Sequence, residues 1–174
     1  VRTGVVDLLP ALRRPAAGAA LLAFVAGVFA AVVPWLPAWV LVAQVDVLGT
    51  SETRTAALLL AHEASPLAWV ALPAGALAAG GALLLAFDVP LPATEQVAWG
   101  MALLLAVAAV LLALQSPGTA AFAGDPLVDV LGSDTPLPRG VVIELGVRPA
   151  RGLWILGAAG PLVALGTRLA VRNG

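Results

Sequence analysis

Four apolar runs, at 16–33, 66–87, 96–114 and 152–170, carry between them a single formal charge, Arg168, close to the end of the last. An α-helix rises ~1.5 Å per residue, so about 20 residues cross the ~30 Å hydrocarbon layer of a bilayer. Each run has the length of one span, and polar residues collect in the connections. The connection at 88–95 is short, whereas those at 34–65 and 115–151 are long. The pattern predicts an all-α membrane protein forming one integral domain. Its fold is a bundle of four transmembrane helices, with a small extracytoplasmic β element built from the first and third connections.

The long connections carry their own patterns. After Pro34-Trp35-Leu36-Pro37, the stretch from Trp39 to Val47 is rich in β-branched residues and partly alternates, which predicts a strand. Gly49-Thr50-Ser51-Glu52 reads as a turn and helix cap, with a short helix from Thr55 to His62 leading into Pro66. A second strand is predicted over 140–148, and the two strands are expected to pair. In the short connection Pro90 and Pro92 stop one helix and Thr94 caps the next, so the second and third spans form an antiparallel hairpin.

Helices in lipid gain no hydrophobic drive from meeting each other, so small residues that let backbones approach become the packing surface. Candidates are Ala23, Gly27 and Ala31 in the first span, and Gly75, Ala79, Gly80 and Gly81 in the second. Ala102, Ala106, Ala109 and Ala113 serve the third, and Gly157 and Gly160 the fourth. Pro73 and Pro161 lie within spans and are expected to kink them. Trp35, Trp69, Trp99 and Trp154 fall near span ends, where indole rings favour the headgroup layer.

Composition agrees with this reading. Apolar residues make up 61% of the 174 and charged residues 11%, against about 25% charged in an ordinary soluble domain. Cysteine is absent, which excludes disulfides and thiolate chemistry. All basic residues are arginines. Arg13 and Arg14 precede the first span, which continues past the length of a signal-peptide core and is read as a retained helix. Leu8, Leu9 and Leu12 ahead of it are placed on the membrane surface. Arg2, Arg13, Arg14, Arg168 and Arg172 share one side of a four-span layout, against Arg54, Arg139, Arg148 and Arg151 on the other. Basic residues flanking the first span usually stay inside. The expected location is the cell membrane, multi-pass, with both termini cytoplasmic and both long connections outward.

No constellation in the chain names a reaction. One histidine, His62 beside Glu63, falls short of the three or four placed ligands of a transition-metal site. Asp125, Asp129 and Asp134 lack calcium-loop spacing and read as solvated carboxylates. Neither a serine triad nor a phosphate-cradling glycine loop is present. A net charge of -1 without a basic patch argues against nucleic acid. Arg148 and Arg151 are read as contacts to lipid phosphates or loop carboxylates. No catalytic, cofactor or metal residue is therefore assigned and no enzyme activity is expected.

The order of span, Pro34-Trp35, strand, short helix, two closely joined spans, long connection, strand, and Gly152-Leu153-Trp154 opening the last span resembles small four-span membrane proteins of GC-rich prokaryotes. The tryptophan-operon-associated membrane protein family is one such group, and the layout is similar to that of claudins, although the two loop cysteines of claudins are missing. The resemblance implies the four-span fold and no chemistry. The expected role is structural or accessory: binding a protein partner, or forming a homo-oligomer, through the outward loops and small-residue helix faces. Trp39, Gln44, Asp46, Glu144, Arg148 and Arg151 are the candidate interaction residues. A transporter or channel component is the alternative, and a membrane enzyme acting on lipid or envelope substrates the third reading.

Overall fold

The computed structural model describes residues 15–47, 50–87, 94–122 and 141–173. Four long helices and a three-stranded sheet account for most of them. Helix α1 spans Pro15–Val32, strands β1 and β2 span Pro37–Val47 and Thr50–Leu60, and a single helical turn, α2, spans Ala61–Ala64. A 3-10 segment, Pro66–Val70, runs directly into α3 at Ala71–Ala86. Helix α4 spans Thr94–Leu114, strand β3 Val141–Pro149 and helix α5 Arg151–Asn173. Four of these helical segments are long and apolar enough to cross a membrane: Ala16–Trp35, Pro66–Ala86, Glu95–Leu114 and Arg151–Arg172.

The helices are built inside out relative to a soluble bundle. Along α1 the buried positions are Ala17, Ala20, Ala23, Ala26, Gly27 and Ala30, a three- and four-residue rhythm that makes one helical face. The outward face carries Leu21, Leu22, Val25, Val28 and Phe29. Helix α4 repeats the arrangement: Ala98, Ala102, Ala108 and Ala109 are buried with Leu105 and Leu112, while Leu103 is 67% exposed. Large apolar side chains arrayed outward around small inward ones suit a hydrocarbon surround, where nothing penalises their exposure.

Helix α1 packs against both α3 and α5, and α4 closes the ring against α5 and, less extensively, α3. Glycines mark the closest approaches. A Cβ on Gly27 would lie 2.7 Å from both the Ala79 amide nitrogen and the Gly75 carbonyl oxygen. One on Gly160 would lie 2.7 Å from the Ala102 carbonyl oxygen, and one on Gly166 would lie 2.7 Å from that of Ala19. The expected contacts through Gly27, Gly75, Ala79, Ala102 and Gly160 are therefore present. Gly80 and Gly157 face open space, and Gly166 takes over at the α1/α5 crossing. Pro73 falls in the first turn of α3, just after the 3-10 segment, where a missing amide costs little. Pro161 lies inside α5.

The strand order is β2-β1-β3, with both pairings antiparallel. Strand β1 therefore links the two long connections within one chain. One expectation is corrected here: the helix placed over Thr55 to His62 is strand, and helix is confined to Ala61–Ala64. Ala56 to Leu60 have helix-favouring side chains, but pairing with β1 overrides that local preference. Thr50, Thr53 and Thr55 supply β-branched residues to the same strand. A register irregularity between Leu41 and Val42 leaves Ala56 as the extra residue of a bulge.

At its base the sheet is tied to the bundle. The Ala61 amide donates to the Leu36 carbonyl at 2.9 Å, and the Ala150 amide to the Ala38 carbonyl at 2.8 Å. Gly152 allows α5 to start against β1, since a Cβ there would meet the Pro37 carbonyl oxygen at 2.8 Å. Trp39, Leu41 and Leu59 join the buried cluster that runs down into the helices through Leu105, Leu112, Leu156 and Val163. Leu8, Leu9, Leu12, Pro90, Pro92 and the aspartates at 125, 129 and 134 lie outside the described residues.

Candidate interaction surface

Antiparallel register sorts the candidate residues by face, because side chains alternate and directly paired residues share a side. Gln44 pairs with Glu144 on one flank and Thr53 on the other, and Asp46 pairs with Val142 and Ser51. Val40 pairs with Arg148 and Leu58, and Val42 with Gly146 and Thr55. Gln44, Asp46, Glu144 and Arg148 are thus brought onto one polar face. Along β3 the alternation is regular: Val142, Glu144, Gly146 and Arg148 are exposed, while Ile143, Leu145 and Val147 are half-buried.

This face has a shallow hollow of about 210 Å³, bordered by Val42, Gln44, Glu144, Gly146 and Arg148. Gly146 opens it, since no atom lies within 4 Å of where its Cβ would be. An acid, a base and an amide border the hollow, a set that offers hydrogen-bond donors and acceptors to whatever lies against it. Among the described residues no group of three potential metal ligands occurs.

The two remaining candidates lie elsewhere. Trp39 is on the opposite face of the sheet, 4% exposed, and its indole Nε1 is buried without a hydrogen-bond partner. Arg151 is exposed at the first position of α5. Sequence reasoning misses the polar half of β2, where Arg54 Nε and Nη2 donate to the two carboxylate oxygens of Glu52, each at 3.1 Å. Both side chains are more than half exposed, so the pair contributes at most about 1 kcal/mol. Its sequence signal is the alternation of threonine with charged residues from Thr50 to Thr55, masked because Thr-Ser-Glu also resembles a helix start.

A second cluster lies where α1 ends and the Pro66–Val70 segment begins. His62 Nδ1 is 2.7 Å from the Pro34 carbonyl oxygen, and because a carbonyl only accepts, Nδ1 carries the proton. The His62 ring lies 5.7 Å from that of Trp69, which meets Trp35 edge-on at 5.4 Å. Glu63 accepts from the Leu60 amide at 3.0 Å, capping α2. His62 is therefore a tie between two helical spans. Substituting His62→Ala should lower stability by about 1 kcal/mol, and His62→Asn, which keeps a donor near Nδ1, should restore much of it. Equilibrium unfolding in detergent micelles would read both.

Trp35, Trp69 and Trp154 are exposed near the sheet end of the helices, and Trp99 is exposed toward the other end. Three indoles at one end of the spans and one toward the other suit the two interfacial layers in which tryptophan is enriched. Comparison with protein-family models, curated proteins and solved structures finds no match for this chain, so the layout resemblance stands without a family behind it.

Proposed function

We propose that this chain is a multi-pass protein of the cell membrane, its sheet outward and its ends cytoplasmic, acting as a structural or accessory subunit. It binds a protein partner, or a second copy of itself, through the sheet. The observation that carries this reading is the sheet itself. Its outer strands β2 and β3 have no further strand paired with them among the described residues, and its polar face holds Gln44, Asp46, Glu144 and Arg148. Open strand edges are templates for pairing with another chain. The arginine distribution supports the orientation, and the inside-out helices support the bilayer as surround. A transporter reading draws less support, because Thr167 is the one side chain buried among the long helices, within the described residues, that carries a polar group.

A photo-crosslinking amino acid placed in turn at Thr53, Glu144 and the lipid-facing Leu103 tests the reading in native membranes. Adducts of one defined mass from Thr53 or Glu144, and none from Leu103, are expected. Protein adducts confined to Leu103 would overturn the sheet as the docking element. Labelling of a cysteine introduced at Thr53 by a membrane-impermeant maleimide in intact cells is expected, and labelling only after lysis would overturn the orientation.

A further inference from the structure

We propose that the seam between α4 and α5, at the sheet end of the bundle, is a binding site for one ordered phospholipid, distinct from the mobile lipid around the helices. The inference rests on the reading that α4 and α5 cross a bilayer. An almost wholly apolar groove of about 410 Å³ runs along this seam, with Ala109, Val110 and Ala113 on one side and Leu153, Trp154 and Gly157 on the other. Trp39 and Pro149 close its upper end where the sheet meets the helices.

Three features match the three parts of a phospholipid. The groove has small residues along its length, and no atom lies within 4 Å of a Cβ built on Gly157, so an acyl chain can lie there without displacing protein. At the upper end stands Trp39, whose buried Nε1 donor has no acceptor. Leaving such a donor unpaired is destabilising, and burial in hydrocarbon-like surroundings gives it no water in exchange. Trp39 lines the groove, so a ligand whose chains occupy it and part its upper end can bring a glycerol ester carbonyl to this donor. One helical turn above Trp154 is Arg151, exposed and without an ion pair among the described residues. Its guanidinium suits a phosphate diester. The cation and the indole donor thus both stand at the sheet end of the apolar trough, the end at which a phospholipid headgroup would lie.

The test compares wild type with Gly157→Leu, Trp39→Phe and Arg151→Gln, each purified in maltoside detergent with folding checked by circular dichroism. Retained phospholipid is counted by native mass spectrometry, and thermal midpoints are followed while palmitoyl-oleoyl phosphatidylglycerol is added. Palmitoyl-oleoyl glycerol, which lacks the phosphate, serves as comparator. Wild type should retain one lipid and show a saturable rise in midpoint. Gly157→Leu should lose both. Arg151→Gln should need about fivefold more phosphatidylglycerol and respond to the two lipids alike. Trp39→Phe should match or exceed wild type in stability before lipid is added and gain less from it afterwards. Equal rises in wild type and Gly157→Leu would overturn the site, as would a full lipid response in Trp39→Phe for the ester contact. Carbonate extraction of the same variants from cell membranes separates the two claims. Release of wild type would overturn the membrane reading, whereas retention of all variants upholds it, so that equal lipid counts in wild type and Gly157→Leu then overturn the site alone.

Discussion

Replacing Gly75 by leucine should unfold the bundle more readily than any other single change at a helix surface, with a loss of about 3 kcal/mol or more. A Cβ at this position would lie 2.5 Å from the Gly27 carbonyl oxygen and 2.6 Å from the Ala31 amide nitrogen. Both are backbone atoms of α1, and no rotamer change moves them aside. The helices must separate instead, and separation forfeits dispersion contacts along the whole α1/α3 seam, which in lipid is most of what holds them together. Gly75→Ala should show a smaller loss of the same sign. Gly80 provides the control: it lies little more than one turn further along α3 with nothing within 4 Å of its Cβ position. Gly80→Ala should therefore be neutral, or stabilising by up to about 1 kcal/mol through helix propensity. Reversible unfolding in bicelles reads all three, and equal midpoints for Gly75→Leu and Gly80→Ala would show that the seam is not held by close approach.

Leu41→Ala should cost about 2–5 kcal/mol, a core-sized penalty for a residue in an extramembrane strand. Leu41 lies in the central strand with 0% exposure, flanked in register by Ala57 and Val147, which are partly buried against the same cluster. That cluster is continuous with Leu105, Leu112 and Leu156 of the helices. The sheet and the end of the bundle are thus one packed body, and the substitution should reduce amide-exchange protection in β1 and in the first turns of α5 together. Val142→Ala, at an exposed edge position, should change stability by less than about 0.5 kcal/mol. A Leu41→Ala effect as small as that of Val142→Ala would mean that the sheet is only tethered to the helices.

Sequence and structure part company where local and non-local forces compete. The span boundaries are legible because hydrocarbon thickness imposes a length and excludes charge, and both are written residue by residue. Strands β1 and β3 are legible from β-branched alternation. Strand β2 is not: Ala56 to Leu60 carry a helical preference, and only the neighbouring strand, already placed by the end of α1, converts them to extended chain. Trp39 falls among the polar candidates in sequence because tryptophan in an outward loop suggests contact, yet alternation about β1 turns it away from Gln44 and into the core. Gly166 does not stand out because glycine is common in every span, and which glycine meets a backbone depends on where two helix axes cross.

The sequence by itself determined that four segments are long and apolar enough to cross a bilayer, that small residues would line their contacts, and that no thiol or multi-histidine chemistry is available. Those properties are sums over local composition and survive any rearrangement of the chain. The tertiary structure decided the order β2-β1-β3, the gathering of Gln44, Asp46, Glu144 and Arg148 on one face, and the glycine pair at the α1/α3 crossing. It also decided that the Trp39 donor lies buried at the head of an apolar seam. Each of these depends on residues between about ten and well over a hundred positions apart meeting at a fixed register, and register is set by the closing of the whole fold.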